Sequence, residues 1–171
     1  MTDRLFFYSN SADARPGRGA REAVACAAAY EGLAKVPHWR RVLSNFHVEP
    51  FVSDGRTFRT IEHAFQAAKI AIASREDAAR FTVESGDAIG AGDGPVAQKN
   101  RKLRRLTPAQ LAQWDAAKDG VMARAAECKY AQSALARDVL ARTGGAELWH
   151  LVPRGAPVRF AHLEAIRAAL V

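Results

Sequence analysis

Apolar and polar positions recur with a helical period along most of this chain. The clearest case is the stretch RTIEHAFQAAKI at residues 59–70. At 3.6 residues per turn, Ile61, Phe65, Ala68 and Ile72 make one stripe, and Glu62, Gln66 and Lys69 make another. Thr60 stands at the N-cap position, and Glu62 falls in the positive first turn. Thr107-Pro108-Ala109-Gln110 is a capping box with proline at the first helical position. The helix it opens carries Leu111, Trp114, Val121 and Ala125 at core spacing. Further helices are predicted over residues 20–35 and 75–83, from Pro95 through the basic run PVAQKNRKLRR, and over residues 133–142 with a stop at Gly144-Gly145. Phe160, Leu163, Ile166 and Leu170 mark a last amphipathic helix.

Strand signals are few and short. LFFY at residues 5–8 and ELWHLV at 147–152 read as strands. Ser53-Asp54-Gly55 reads as the turn of a hairpin joining Phe51-Val52 to Thr57-Phe58. Residues 12–19 and the glycine-rich 84–94 read as loops, and 42–51 as irregular or extended chain. No internal repeat is present. The expectation is a mainly α fold (α+β with a few short strands and a hairpin), organised as one domain over residues 1–171.

Composition narrows this further. The chain has 171 residues, 49% of them hydrophobic, which supports a packed core and excludes a disordered chain. A formal net charge of +7 favours an anionic partner, either nucleic acid or a phosphorylated small molecule. The 2 cysteines, Cys26 and Cys128, lie far apart with no Cys/His ligand spacing, so no metal site is expected. Two isolated cysteines, no secretory leader pattern and no long apolar run together predict a cytoplasmic protein without a membrane span.

Several clusters could carry chemistry. The Glu62/Gln66/Lys69 stripe is either a solvated face, contributing roughly tenths of a kcal/mol, or a carboxylate, an amide and an amine converging on a substrate. Spacing alone leaves both open. His63 beside it is either a structural or a substrate-contacting histidine. The segment GAGDGP at residues 90–95, with Gly92 and Gly94, could offer backbone N–H groups to an anion, with charge from Lys99, Arg101, Lys102, Arg104 and Arg105. It could equally be a plain loop, since no P-loop or GxGxxG spacing is present. Ser44-Asn45-Phe46 suits a turn, or hydrogen bonding to a base or ribose beside a stacking ring. Trp114 is core by default, and Trp149 and His150 would face opposite ways on a strand.

Taken together, these stretches resemble the NADAR (YbiA-like) family. The matching pieces are FFYS from Phe6, LSNF from Leu43, Pro50-Phe51 and DGRTFRTIEHAFQAAKI from Asp54. Trp114, Val121-Met122, Lys129, Gln132 and Thr143-Gly144 follow in order. The resemblance implies a compact, mainly helical domain that cleaves N-glycosidic bonds without a metal or cofactor. It implies removal of ADP-ribose from guanine in nucleic acid, or cleavage of phosphoribosylamino-pyrimidine intermediates of riboflavin synthesis. A non-catalytic module that binds ADP-ribose or nucleic acid is the competing expectation. By this resemblance Glu62 and Lys69 are catalytic, and Ser44, Asn45, Phe46, Gln66 and Trp114 line the substrate pocket; His63, Gly92, Gly94 and His150 are further expected substrate contacts. The chain departs from the family pattern by an inserted segment at about residues 10–42. Its C-terminal stretch also differs, with His150 where many members carry an acidic residue.

The implied chemistry is that of an oxocarbenium-like centre. Cleavage builds positive charge on the ribose C1, which a carboxylate such as Glu62 stabilises or serves by activating water. Lys69 would hydrogen-bond the departing base, or, with its amine neutral, attack the sugar and form a Schiff base.

Overall fold

A computed structural model describes residues 2–170. The chain forms two compact units, Met1–Ser44 together with Ser133–Val171, and Asn45–Gln132. Each is described by itself.

The first unit begins with strand β1, Arg4–Phe7, whose Leu5 and Phe7 are fully buried. Residues 20–35 do not form the predicted helix. Ala23 makes an antiparallel bridge to Arg4, and a 3-10 turn over Ala27–Tyr30 leads into one α turn, α1, Glu31–Ala34. The physical reason is Glu22. Its carboxylate accepts the N–H groups of Gly17 and Gly19 at 2.8 and 2.9 Å, which fixes a looped path that alanine propensity cannot override. Helix α2, Trp39–Val42, leads into the stretch expected to be irregular, and residues 43–50 form neither helix nor strand.

The second unit opens with the hairpin of β2, Phe51–Ser53, and β3, Arg56–Phe58, as predicted. Asp54 and Gly55 both have positive φ, 49° and 73°, the signature of a two-residue type I′ turn. Helix α3, Ile61–Ala71, follows. Thr60 caps it by accepting the His63 N–H. Helix α4, Arg75–Ala79, ends earlier than predicted: Thr82 donates its hydroxyl to the Ala79 carbonyl, and the chain turns to bury Phe81. The glycine-rich stretch is not all loop. It holds α5, Ala88–Ala91, and runs into α6, Gly94–Lys99, each capped by an aspartate, Asp87 and Asp93. The basic run does not continue as a helix, because the Asn100 amide donates to the Val96 carbonyl at 2.9 Å and closes α6 there. Helix α7, Pro108–Gln132, starts at the predicted capping box, where Thr107 and Gln110 bond each other's backbone N–H groups. Its Gln132 side chain clamps β2, accepting the Val52 N–H at 2.8 Å and donating to the Val52 carbonyl at 2.7 Å.

The chain then returns to the first unit. Helix α8, Ala134–Arg142, ends at Gly144 with φ +55°. Strand β4, Glu147–His150, pairs in parallel with β1 and antiparallel with β5, Val158–Arg159. The register sets Phe6 against Trp149, whose rings stack at 6.3 Å. Helix α9, Ala161–Ala168, is the last element. Among the described residues the fold is mainly helical with two small sheets, as the hydrophobic pattern predicts. Among the described residues no helix is long and apolar enough to cross a membrane.

Candidate functional site

The polar stripe of α3 turns inward. Glu62 is 7% exposed and Gln66 is 5% exposed, so neither belongs to a solvated face. The Gln66 amide donates to Glu62 Oε1 at 2.8 Å, an i, i+4 contact that the helix geometry provides. Burial pushes the Glu62 carboxyl above its ordinary range. The Gln66 hydrogen bond and the positive charges of Arg101 and Lys69 pull it partly back. Such a group exchanges a proton nearer to neutral pH than an exposed glutamate does.

Asn45 meets the first turn of α3 beside this carboxyl. The Glu62 N–H donates to the Asn45 carbonyl at 3.1 Å, which anchors residue 45 to the first turn of α3. The Asn45 amide N–H donates to Met122 Sδ on α7 at 3.3 Å. Two oxygens here are buried with no hydrogen-bond partner among the described residues: Asn45 Oδ1 and Gln66 Oε1. Buried acceptors are rarely left so, and this pair calls for donors such as sugar hydroxyls. Phe46 packs on Gly94 so closely that a methyl group there would collide with it. The lack of a side chain at Gly92 is explained in the same way, by Val96. The first turn of α6 already has an anion, since Asp93 accepts the Val96 N–H at 3.1 Å. The glycines expected to cradle phosphate thus serve close packing.

Trp114 is 6% exposed and meets Phe65 edge-on at 4.8 Å, giving the unit an aromatic contact between α7 and α3. Leu111 on the same helix is not core but 47% exposed. It lines a cleft of about 1030 Å³ together with Lys69, Arg101, Lys102, Arg104 and Arg105. Arg104 is paired with Asp77. The cationic run expected on a helix therefore forms a cleft wall instead. Arg101 and Lys69 belong both to that wall and to the electrostatic surroundings of Glu62.

His63 is fully buried and has both ring nitrogens engaged. Nε2 lies 2.9 Å from the Ile89 carbonyl, which can only accept, so that nitrogen carries the proton. Nδ1 then accepts from the Thr60 hydroxyl at 2.8 Å. Burial holds the ring below its ordinary pKa, in the neutral form. His63 is a tie between α3 and α5, with both ring nitrogens taken up by protein groups.

Sequence spacing gave little sign of Lys129. It is fully buried on α7 and donates to the His47 carbonyl at 3.3 Å. Desolvation lowers its pKa to about 8, opposed by the charge of Glu49. It ties the middle of the unit to the segment that follows Asn45 and Phe46. Ser44 and His150 belong to the other unit. Ser44 is buried there, with its N–H donating to the Arg41 carbonyl. His150 stacks on Phe160 at 5.1 Å and meets Phe7 edge-on, and burial lowers its pKa.

The fold and this arrangement define a mainly helical protein with a buried carboxylate–amide pair beside a cationic cleft. The NADAR domain pattern matches residues 35–156, most of the chain, and the chain belongs to that family. The solved NMR structure of the E. coli protein YbiA is similar, with a TM-score of 0.59 at 22% identity, covering 99% of this chain and 86% of that one. That likeness is one of fold. Comparison with curated proteins returns no match.

Proposed function

We propose that this NADAR protein is an N-glycosidase that removes ADP-ribose from guanine in nucleic acid. The observation that carries this reading is Glu62: a buried carboxyl, hydrogen-bonded by Gln66, flanked by two unpaired acceptors and adjoining a cleft lined by five cationic side chains. The unpaired Asn45 and Gln66 oxygens suit ribose hydroxyls. The cationic wall suits a diphosphate and the phosphates of a nucleic-acid strand. In the reaction, water adds to the ribose C1 as the bond from C1 to the base nitrogen breaks. The proton lost by water passes to Glu62, and the departing base nitrogen takes a proton from Lys69, which solvent restores. Lys69, one turn beyond Gln66, hydrogen-bonds the departing base.

The test is mass-spectrometric release of ADP-ribose from a guanine-ADP-ribosylated oligonucleotide, with Glu62→Gln as the control. Release by the wild type alone is the expected result. No release from folded wild-type protein overturns the reading. Cleavage of a phosphoribosylamino-pyrimidine in place of the oligonucleotide would reassign the substrate and leave Glu62 its role. Binding of the oligonucleotide without release would make the chain a non-catalytic module.

A further inference from the structure

Helix α3 has a second used face. Ala64, Ala67, Ala68 and Ala71 lie on the side opposite Glu62, Gln66 and Lys69, as helical geometry requires of residues with that spacing. These alanines do not pack flush against their neighbours. They floor a cavity of about 650 Å³ that extends to the β2–β3 hairpin, α4 and α7. That volume falls in the range of small-molecule pockets. The alanines present only methyl groups to the cavity, and Phe58 is part of its lining. An apolar ring suits such a lining.

Polar groups on the cavity have chemistry to spare. Ser53 is 8% exposed and is part of the cavity lining. A hydroxyl in a cavity lining can donate to or accept from a ligand group. Arg56 and Arg75 are exposed at the rim, and neither side chain is held in an ion pair among the described residues. The third rim arginine, Arg124, is occupied by Asp54 at 2.6 Å. One satisfied arginine beside two available ones gives the mouth a net positive character.

We infer that this cavity is a second binding site, for a small aromatic anion whose ring lies on the α3 alanines and whose charged group meets Arg56, Arg75 and the Ser53 hydroxyl. Guanidinium groups bind carboxylates and phosphates in a planar fork, and the alanine methyl groups offer the ring an apolar surface. The ligand and the Glu62 carboxyl then share one helix and occupy its two faces. The inference is independent of which bond the Glu62 site cleaves.

Benzoate tests it directly, with acetate and benzyl alcohol as probes that keep only the charge or only the ring. Amide NMR shifts on the full chain give location and affinity. The expected result is benzoate-induced shifts at Ser53, Ala64, Ala67 and Ala71, with acetate and benzyl alcohol each binding there at least about tenfold more weakly. Ala68→Leu fills the floor and is expected to abolish those shifts. Arg75→Ala, an exposed change that spares the core, is expected to weaken benzoate about tenfold. Benzoate shifts confined to Lys69 and Arg101, or none at Ser53 at millimolar benzoate, overturn the inference. Equal binding of acetate or benzyl alcohol, or unchanged affinity in Arg75→Ala, overturns it as well.

Discussion

Glu22 and Glu62 both carry buried carboxyls, and they are treated in opposite ways. Glu22, in the first unit, has a fully buried side chain and is saturated. It meets Arg40 in a two-point contact at 2.9 and 2.7 Å and accepts three backbone N–H groups, from Phe6, Gly17 and Gly19. Arg40 in turn lies over the Trp39 ring at 4.1 Å. Glu62, in the second unit, accepts one side-chain hydrogen bond, from Gln66, and adjoins two acceptors that have no partner. A carboxylate whose every lone pair is used organises chain. One left short of donors in a polar recess is available to a ligand.

The contrast can be broken most directly by removing each charge. Glu62→Gln is expected to lower turnover by about 10²–10⁴-fold while the fold persists, read by ADP-ribose release alongside a thermal melt. The same variant is expected to melt higher than wild type at pH 8 and equally near pH 4. Its raised pKa means the folded state keeps the proton longer, so wild-type stability falls as pH rises through the carboxyl's range, and glutamine removes that fall. A variant with full turnover would place Glu62 alongside Glu22 as a structural group.

Arg40→Ala is the reciprocal experiment. It leaves Glu22 buried and unpaired, at an expected cost of about 3–5 kcal/mol and a Tm lower by roughly 10 °C. A loss under about 1 kcal/mol would mean that the backbone N–H groups alone sustain the carboxylate.

Lys129 offers a subtler version of the comparison, as a buried cation with a backbone carbonyl for a hydrogen-bond partner. Its folded pKa of about 8 lies below the ordinary lysine value of 10.5. Between those two values the unfolded chain binds the extra proton, so stability rises with pH across that window. Lys129→Met is expected to flatten that rise, measured by denaturant melts at pH 7 and pH 10. An unchanged slope would show that another group titrates there.

The smallest effect is expected at Thr60. Its hydroxyl caps α3 and holds His63 Nδ1. Thr60→Ala should cost about 1 kcal/mol, with turnover retained if His63 has only a structural part. A large loss of turnover at unchanged stability would place His63 in the substrate pocket.

The local signals in the sequence determined local structure. Asp54-Gly55, Thr60 and the Thr107–Gln110 box each act over a few residues, and the hairpin and both helix starts stand where those residues put them. The spacing of Glu62, Gln66 and Lys69 on one face was equally legible, because helical periodicity alone sets it. Whether that face met water or a recess was not, since burial depends on which elements cover it. Tertiary structure also decided residues 20–35, where the demands of Glu22 and Arg40 outweigh the helix propensity of alanine. It set the basic run as a cleft wall, through the early closure of α6 at Asn100, and gave His63 its two fixed partners. Propensity and capping act between near neighbours in sequence. Burial, pairing of charges and the state of a carboxyl are settled by residues far along the chain, and the folded structure alone brings those together.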